Sequence, residues 1–600
     1  MGQLPMRHEI PSDLKWKLED IYSSNELWEQ DLAKARDNKE RVAKLQGTIS
    51  SAQALLHALQ VRDEIGQLVD WLISYSHMRK DENNGDSLYQ GYADQALGVA
   101  VELSSATAFF EPEILSLEPE VVRAWVDETP QLGVYRHYLE NILRMKAHTL
   151  PAEQEQLLAA AGELAQTPGN IFRMFNNADL KFPQVKNDAG EMIELTHGRY
   201  IQLLESQNQE VRQGAFEAMY KTYSSWKNTL GATYIGAVKK ELYFARARKY
   251  PSSLEAALNV DNVKSEVYTN LIDSIHDHLP LLHRYVSLRK KLLGVDELHM
   301  WDLYVPMVGD EHLEISREEA IEMVQTGLHP LGEQYLNDLS RSFQDGWIDW
   351  LENRGKTSGA YSWGTYGVHP YVLMNWQDTL DNAFTLAHEL GHAMHTFYSN
   401  QKQEYVNSRY TIFVAEVAST LNEALLMDDL LKKTEDPKKR AYLLNHYLEQ
   451  FRGTVFRQTM FAEFEKIVHG KVGQGESVTS DQLSEIYYDL NKKYFGEDIV
   501  VDELIAMEWA RIPHFYRPFY VYKYATGFSA AVSLAQQILE AGEPAVERYL
   551  GFLSGGGSDY PLELLRKAGV DMGKPDPIIQ AMKVFEELLD ELEELSEGNL

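Results

Sequence analysis

Apolar residues recur at three- and four-residue spacing through most of the 600-residue sequence, with short breaks at Pro, Gly, Asn and Asp. This period is typical of amphipathic helices that pack one face against a core. We therefore expect a predominantly α fold. Because the chain is much longer than one compact core usually needs, we also expect two or more lobes.

The helical pattern suggests a boundary near residue 190. Residues 1–190 are predicted to form an N-terminal helical region, and residues 191–600 a second helical region that carries the motif described below. Two segments depart from the helical period. Residues 180–195 alternate around a Gly-containing turn and predict a β-hairpin, whereas residues 359–375 are rich in aromatic residues and glycine and predict an edge strand.

Charge and composition exclude several classes of partner and ligand. The formal net charge of −33 argues against binding to nucleic acid or to an anionic membrane surface. The absence of cysteine excludes disulfides and thiolate ligands, so any metal must be held by His, Asp or Glu. No signal peptide and no uncharged run of about 20 apolar residues is evident. We expect a cytoplasmic protein, and its oligomeric state is left open.

Residues 379–398 are predicted to form a helix that carries the sequence His388-Glu389-Leu390-Gly391-His392. Residues four apart lie on one helix face and are about 6 Å apart along the axis, so both imidazoles can reach one ion at about 2.1 Å. Glu389 is rotated by about 100° and approaches a metal-bound water without being a ligand. We predict that His388 and His392 bind zinc and that Glu389 is the general base.

A catalytic zinc ion usually has three protein ligands, so a third must be found. The extended motif with a third histidine requires Gly at 395 and His at 398, but this chain has His395 and Tyr398 there. Glu416 lies in an apolar, helical segment, where burial of a carboxylate is costly unless a cation compensates it. Glu416 is therefore predicted to be the third ligand.

Four further residues lie on or near the two helices that carry the predicted ligands. Glu423 is predicted either to accept a hydrogen bond from a ligand histidine or to form a surface salt bridge. Gly391 costs about 1 kcal/mol in a helix interior, and close approach of a second helix would explain it. His395 is expected to have a structural or substrate-facing role, and the role of His369 is left open.

The motif and its surroundings resemble the thimet-oligopeptidase clan of zinc metallopeptidases, and within it the oligoendopeptidase F branch. The resemblance covers about residues 170–575. It is carried by HELGHAMH (388–395), FVAEVASTLNEALL (413–426), FNNADLKF (175–182), GAYSWGTYGVHPYVLMNW (359–376) and HFYRPFYVYKYATG (514–527).

The resemblance implies a two-lobed helical body that encloses a deep channel, with one zinc ion per chain on its floor and short peptides as substrates. It also implies that a His and a Tyr from a C-terminal segment bind the scissile carbonyl and the oxyanion. We expect these to be His514 and Tyr522, with Tyr520 and Tyr524 as substitutes. The predicted function is hydrolysis of internal peptide bonds in short oligopeptides.

Two alternatives to an endopeptidase are considered. A related helical zinc carboxypeptidase or dipeptidase would need a cationic pocket for a terminal carboxylate. A catalytically silent peptide-binding protein would have no need for the base at Glu389. The sequence does not separate zinc from cobalt or manganese, because His and carboxylate ligands bind all three ions.

Overall fold

Helices dominate the fold in the computed structural model, which describes residues 4–309 and 314–597. The first three residues of the segment considered for a signal peptide lie outside the described residues. The α-helices are α1 (Asn25–Ala43), α2 (Ala52–Glu82), α3 (Ser87–Thr107), α4 (Phe110–Ser116), α5 (Pro119–Glu128), α6 (Arg136–Arg144), α7 (Ala152–Ala165), α8 (Thr167–Met174), α9 (His197–Leu204), α10 (Gln209–Ser224), α11 (Lys227–Ala247), α12 (Ser253–Asn259), α13 (Ser265–Asp277), α14 (Leu279–Leu293), α15 (Arg317–Gly327), α16 (Gly332–Gln344), α17 (Leu380–Lys402), α18 (Ile412–Lys433), α19 (Pro437–Phe451), α20 (Arg457–Gly473), α21 (Ser480–Phe495), α22 (Tyr522–Ala541), α23 (Glu543–Leu553), α24 (Pro561–Ala568) and α25 (Asp576–Glu597). The strands are β1 (Gln184–Lys186), β2 (Met192–Glu194), β3 (Ile348–Asp349), β4 (Tyr361–Trp363) and β5 (Tyr371–Leu373).

The predominantly α fold predicted from the hydrophobic period is confirmed. Within the described ranges, no helix is both long enough and apolar enough to cross a membrane.

Each of the two compact units of the chain is built from discontinuous segments. Unit 1 comprises Met1–Ala147, His312–Asp429 and Leu534–Val570. Unit 2 comprises His148–Glu311, Leu430–Ser533 and Asp571–Leu600. The division into residues 1–190 and 191–600 stays a prediction.

The β-hairpin expected between residues 180 and 195 is present. Strands β1 and β2 pair antiparallel, with Val185 opposite Ile193. The turn between them includes Gly190 in the left-handed region at φ 77°, where glycine has no steric penalty. The alternating pattern thus identified both strands and their turn.

A second, three-stranded sheet precedes α17 in unit 1. Its order is β3-β5-β4, with β5 parallel to β3 and antiparallel to β4. Residues 359–375 therefore form two strands instead of the single edge strand predicted from the sequence. Of these two, β4 lies at an edge of the sheet and β5 in its centre. The aromatic ring of Tyr371 and the side chain of Leu373 belong to the same buried cluster as Leu59 and Leu72 of α2, which anchors the sheet.

Helices α17 and α18 pack unusually close together. Thr379 caps α17, because its side chain accepts a hydrogen bond from the backbone N–H of Asn382. A Cβ atom placed on Gly391 would lie 2.5 Å from the Cα atom of Ser419, so no larger residue fits without moving α18. Asn422 in α18 also donates a hydrogen bond of 3.1 Å to the Ala387 carbonyl in α17. The predicted explanation for Gly391 is confirmed.

In unit 2, an aromatic core fixes the short 3-10 turn Pro513–Tyr516 that precedes α22. The ring of Phe515 is buried, with its centroid 5.0 Å from that of Phe464 and 5.8 Å from that of Tyr234. Burial of a Phe side chain of this kind contributes about 1.5–3 kcal/mol. The turn that carries His514 is therefore anchored by its buried neighbour in the sequence.

Candidate metal centre

His388, His392 and Glu416 form a cluster of potential metal ligands in unit 1. One ligand atom from each lies within 4.8 Å of the others. The Oε2 atom of Glu416 is 3.4 Å from His388 Nε2 and 3.8 Å from His392 Nε2. Two atoms bound to one tetrahedral ion at about 2.1 Å are about 3.4 Å apart. The donor set therefore fits a single zinc ion, and α17 and α18 bring together the three ligands predicted from the sequence.

Both histidines have a second partner that orients the ring. The Nδ1 atom of His388 is 2.5 Å from Oε1 of Glu423, and the backbone of Ala415 acts on the ring of His392 and favours its protonated form. Such partners fix the tautomer of a metal-binding imidazole and make it more basic. Of the two roles left open for Glu423, the structure supports contact with a ligand histidine.

The carboxylates of Glu416 and Glu423 make the ligand cluster favourable for a cation. Burial lowers the pKa of the His388 ring, but hydrogen bonds with Glu416 and Glu423 outweigh that effect and raise the pKa to about 10. The hydrogen bond with His388 is in turn the main reason why the pKa of Glu416 is lowered. Burial, followed by the charge of His388, lowers the pKa of His392 to about 4. Glu416 and Glu423 therefore favour a positive charge at this site.

Glu389 lies beside the ligand cluster on α17 and is only 8% exposed. Burial raises the pKa of its carboxyl to about 7, and the charges of Glu416 and Glu423 act in the same direction. The charge of His388 and, to a smaller extent, the backbone of Ser362 in β4 partly offset this increase in pKa. A carboxyl whose pKa lies near neutrality can both accept and release a proton at neutral pH, as a general base requires.

The two other histidines singled out in the sequence lie in packed surroundings. His395 is buried, and its ring stacks on Tyr410 with centroids 3.6 Å apart. Burial lowers the pKa of His395 to about 3, so the structural role is the one supported. His369 stacks on Trp347 at 5.3 Å and has its Nε2 atom 3.2 Å from Oδ2 of Asp20.

In unit 2, the predicted oxyanion-binding residues separate into two groups. The ring centroid of His514 lies 6.1 Å from that of Tyr520 and 6.0 Å from that of Tyr524, and all three side chains are partly exposed. Tyr522 is fully buried, with its ring 5.1 Å from that of Tyr268. The structure thus groups His514 with the two substitute tyrosines and not with Tyr522, whose burial argues against contact with a substrate.

A cavity of about 500 Å³ in unit 1 is lined by both β4 and α17. Ser362 and Thr396 contribute to its wall, as do Asp70 and Arg409. The guanidinium of Arg409 is 2.6 Å from Oδ2 of Asp70. The sequence does not indicate this pair, because the two residues are far apart in the chain and neither belongs to a motif.

The His-Glu-x-x-His helix, with a glutamate from a second helix as third ligand, defines a zinc metallopeptidase. Residues 202–584 match the family model described as peptidase family M3, and residues 113–182 match the one described as oligopeptidase F. The chain belongs to peptidase family M3.

Relatives of similar length support this assignment. The chain is 49% identical to oligopeptidase PepF of Bacillus subtilis, an alignment that covers 99% of this chain and 89% of the relative. It is 42% identical to the plasmid-encoded oligoendopeptidase F of Lactococcus lactis subsp. cremoris, with 98% of both chains covered. The crystal structure of oligoendopeptidase F from Enterococcus faecium is 39% identical, with a TM-score of 0.74 over 96% of this chain and 99% of that one.

Proposed function

We propose that this metallopeptidase hydrolyses internal peptide bonds of short oligopeptides, with Glu389 as the general base. The observation that carries the proposal is the cluster of His388, His392 and Glu416 within 4.8 Å, with the buried carboxyl of Glu389 on the same helix. The similarity to proteins named oligopeptidase and oligoendopeptidase supports the choice of substrate.

The proposed chemistry assigns a separate task to each group. His388, His392 and Glu416 would hold a zinc ion, which would act as a Lewis acid that lowers the pKa of water toward about 7 and polarises a carbonyl. Glu389 accepts the proton of the attacking water and returns it to the nitrogen of the leaving amine, so that it ends the cycle ionised. His514 and a tyrosine, Tyr520 or Tyr524, donate hydrogen bonds to the oxyanion, each contributing about 3–4 kcal/mol.

Strand β4 is the proposed binding element for the peptide backbone. It lies at the edge of its sheet, and the backbone of its residue Ser362 acts on the carboxyl of Glu389. An extended peptide paired with such an edge gains affinity from main-chain hydrogen bonds, largely independent of its side chains. The cavity beside β4 would then accept one substrate side chain. A broad sequence tolerance is the expected consequence.

The two-lobed body with a deep channel, which the resemblance implies, belongs to this proposal because it would restrict entry to short peptides. Binding to nucleic acid or to a membrane forms no part of it. The cytoplasmic location stays a prediction.

An exopeptidase is the second candidate. Such an enzyme would need a cation to bind the terminal carboxylate of its substrate, and Arg409 lines the cavity beside β4. The close contact between Arg409 and Asp70 already compensates this charge, which favours the endopeptidase.

Cleavage of a short, internally quenched peptide blocked at both ends separates the two candidates. We expect internal cleavage, located by mass spectrometry of the products, that a chelator abolishes and added zinc restores. Zinc-loaded protein that cleaves only peptides with a free terminus would contradict the endopeptidase. Zinc-loaded protein that binds both kinds of peptide but cleaves neither would indicate the silent binding protein.

A further inference from the structure

Phe519, in the turn that leads into α22, has a left-handed backbone conformation with φ 55°. In the described part of the chain only three other non-glycine residues, Lys249, Asn262 and Asp378, have a positive φ. This conformation is a steric outlier for a bulky side chain and persists only where the surroundings hold it. The contacts of Phe519 therefore matter for the shape of the turn.

A buried glutamate in α20 holds the backbone of this turn. The N–H of Phe519 donates a hydrogen bond of 3.0 Å to Oε1 of Glu465, whose side chain is fully buried. The Oε2 atom of Glu465 has no hydrogen-bond partner among the described residues. Burial raises the pKa of Glu465 well above its ordinary value, which favours the neutral form of the carboxyl. The hydrogen bond from the Phe519 N–H is therefore the interaction that accounts for the buried carboxyl of Glu465.

The ring of Phe519 is fixed as well. Its centroid lies 4.6 Å from the ring of His469, one turn after Glu465 in α20, and 5.8 Å from the ring of Tyr268 in α13. His469 is itself held by a hydrogen bond of 3.0 Å between its Nδ1 atom and Ser253. Two helices thus fix both the backbone and the side chain of the residue directly before Tyr520.

We propose that Glu465 is a positioning residue that holds the turn at Phe519 and thereby sets the orientation of the Tyr520 hydroxyl. If Phe519 relaxed to an ordinary φ near −60°, the chain would rotate by about 115° at this residue and Tyr520 would leave its place beside His514. The inference rests on the proposed function, in which a tyrosine donates to the oxyanion, and it selects Tyr520 for that role.

The test compares kcat and KM of Glu465→Met and Glu465→Gln in zinc-loaded protein. Methionine fills the space but removes the acceptor, and we expect kcat to fall by about 10- to 100-fold with KM changed by less than about threefold. Glutamine keeps an acceptor oxygen and should stay within about threefold of the wild type. The matched control is Glu463→Met in the same helix, which faces His276 instead and should leave kcat within about threefold.

A double-mutant cycle with Tyr520→Phe identifies the residue through which Glu465 acts. We expect Glu465→Met to cause no further loss of kcat in the Tyr520→Phe background. An equal loss in both backgrounds, or an unchanged kcat for the single variant, would overturn the inference while leaving the proposed function intact. Full activity of Tyr520→Phe itself would overturn both the assignment of Tyr520 and the inference.

If Glu465→Met does not give folded, zinc-loaded protein, Phe519→Ala replaces it in the same cycle. This variant keeps the N–H donor but removes the ring packing against His469 and Tyr268. We expect kcat to fall in the wild-type background and not in the Tyr520→Phe background. A loss that is the same in both backgrounds would again contradict the role of the turn.

Discussion

The metal helices α17 and α18 and the aromatic turn of residues 513–521, which leads into α22, hold their functional side chains in different ways. In α17 the regular spacing of His388 and His392 places both on one face, and Gly391 lets α18 approach. In the turn, Phe519 departs from ordinary backbone geometry at φ 55°, at a cost of order 1–3 kcal/mol. Regular helices thus position side chains through their local spacing in the sequence, whereas the turn is held by contacts with residues that are distant in the sequence.

The largest effect is expected for Glu389→Gln in α17. Glutamine keeps the shape of the side chain but cannot take a proton, so kcat should fall by about 10²- to 10⁴-fold. Zinc content, measured by mass spectrometry, should stay at that of the wild type, because Glu389 is not a ligand. A fully active variant would show that Glu389 on α17 is not the general base.

The turn is tested by Tyr520→Phe, with Tyr522→Phe as the matched control. Loss of an oxyanion donor should lower kcat by about 10²- to 10³-fold with little change in KM. Tyr522 is fully buried, so its substitution should affect thermal stability and leave kcat within about threefold of the wild type. The reverse result would restore the residue first favoured from the sequence.

A smaller effect is expected for Glu423→Gln, which weakens the contact with His388 Nδ1. Loss of such a partner typically lowers metal affinity by about 10- to 100-fold. Competition with a chelator of known affinity measures the change. Unaltered zinc affinity would mean that the helix pair alone orients His388.

The smallest change is Gly391→Ala, which adds one methyl group where α18 approaches α17. The free energy of unfolding should fall by about 1–3 kcal/mol because of overpacking. The control is Gly214→Ala in α10, where an added Cβ meets nothing within 4 Å, and a gain of about 0.5–1 kcal/mol is expected. Equal effects at both positions, measured by chemical denaturation, would remove the argument for close helix packing.

The same contrast explains how much could be predicted from the sequence. The helical class and the hairpin of β1 and β2 follow from the hydrophobic period, and both are present in the structure. The pairing of His388 with His392 follows from their spacing and the choice of Glu416 from its apolar surroundings, and the structure brings these three residues together. The choice among Tyr520, Tyr522 and Tyr524 could not follow in that way, because the left-handed backbone of Phe519 and its bond to Glu465 decide which side chains face outward.

The sequence also could not predict strand β3 or the segments that make up each of the two units. Strand β3 has only two residues, too few to show an alternating pattern. Each unit consists of three separate segments of the chain. The local hydrophobic period does not show which distant segments pack together.

The most direct test of the account is the position of the metal in a crystal of zinc-loaded protein, located by anomalous scattering at the zinc edge. We predict one peak per chain, at about 2.0–2.2 Å from His388 Nε2, His392 Nε2 and a carboxylate oxygen of Glu416. A peak bound by other residues, or none at these three in protein that is active and shown to contain zinc, would contradict the account.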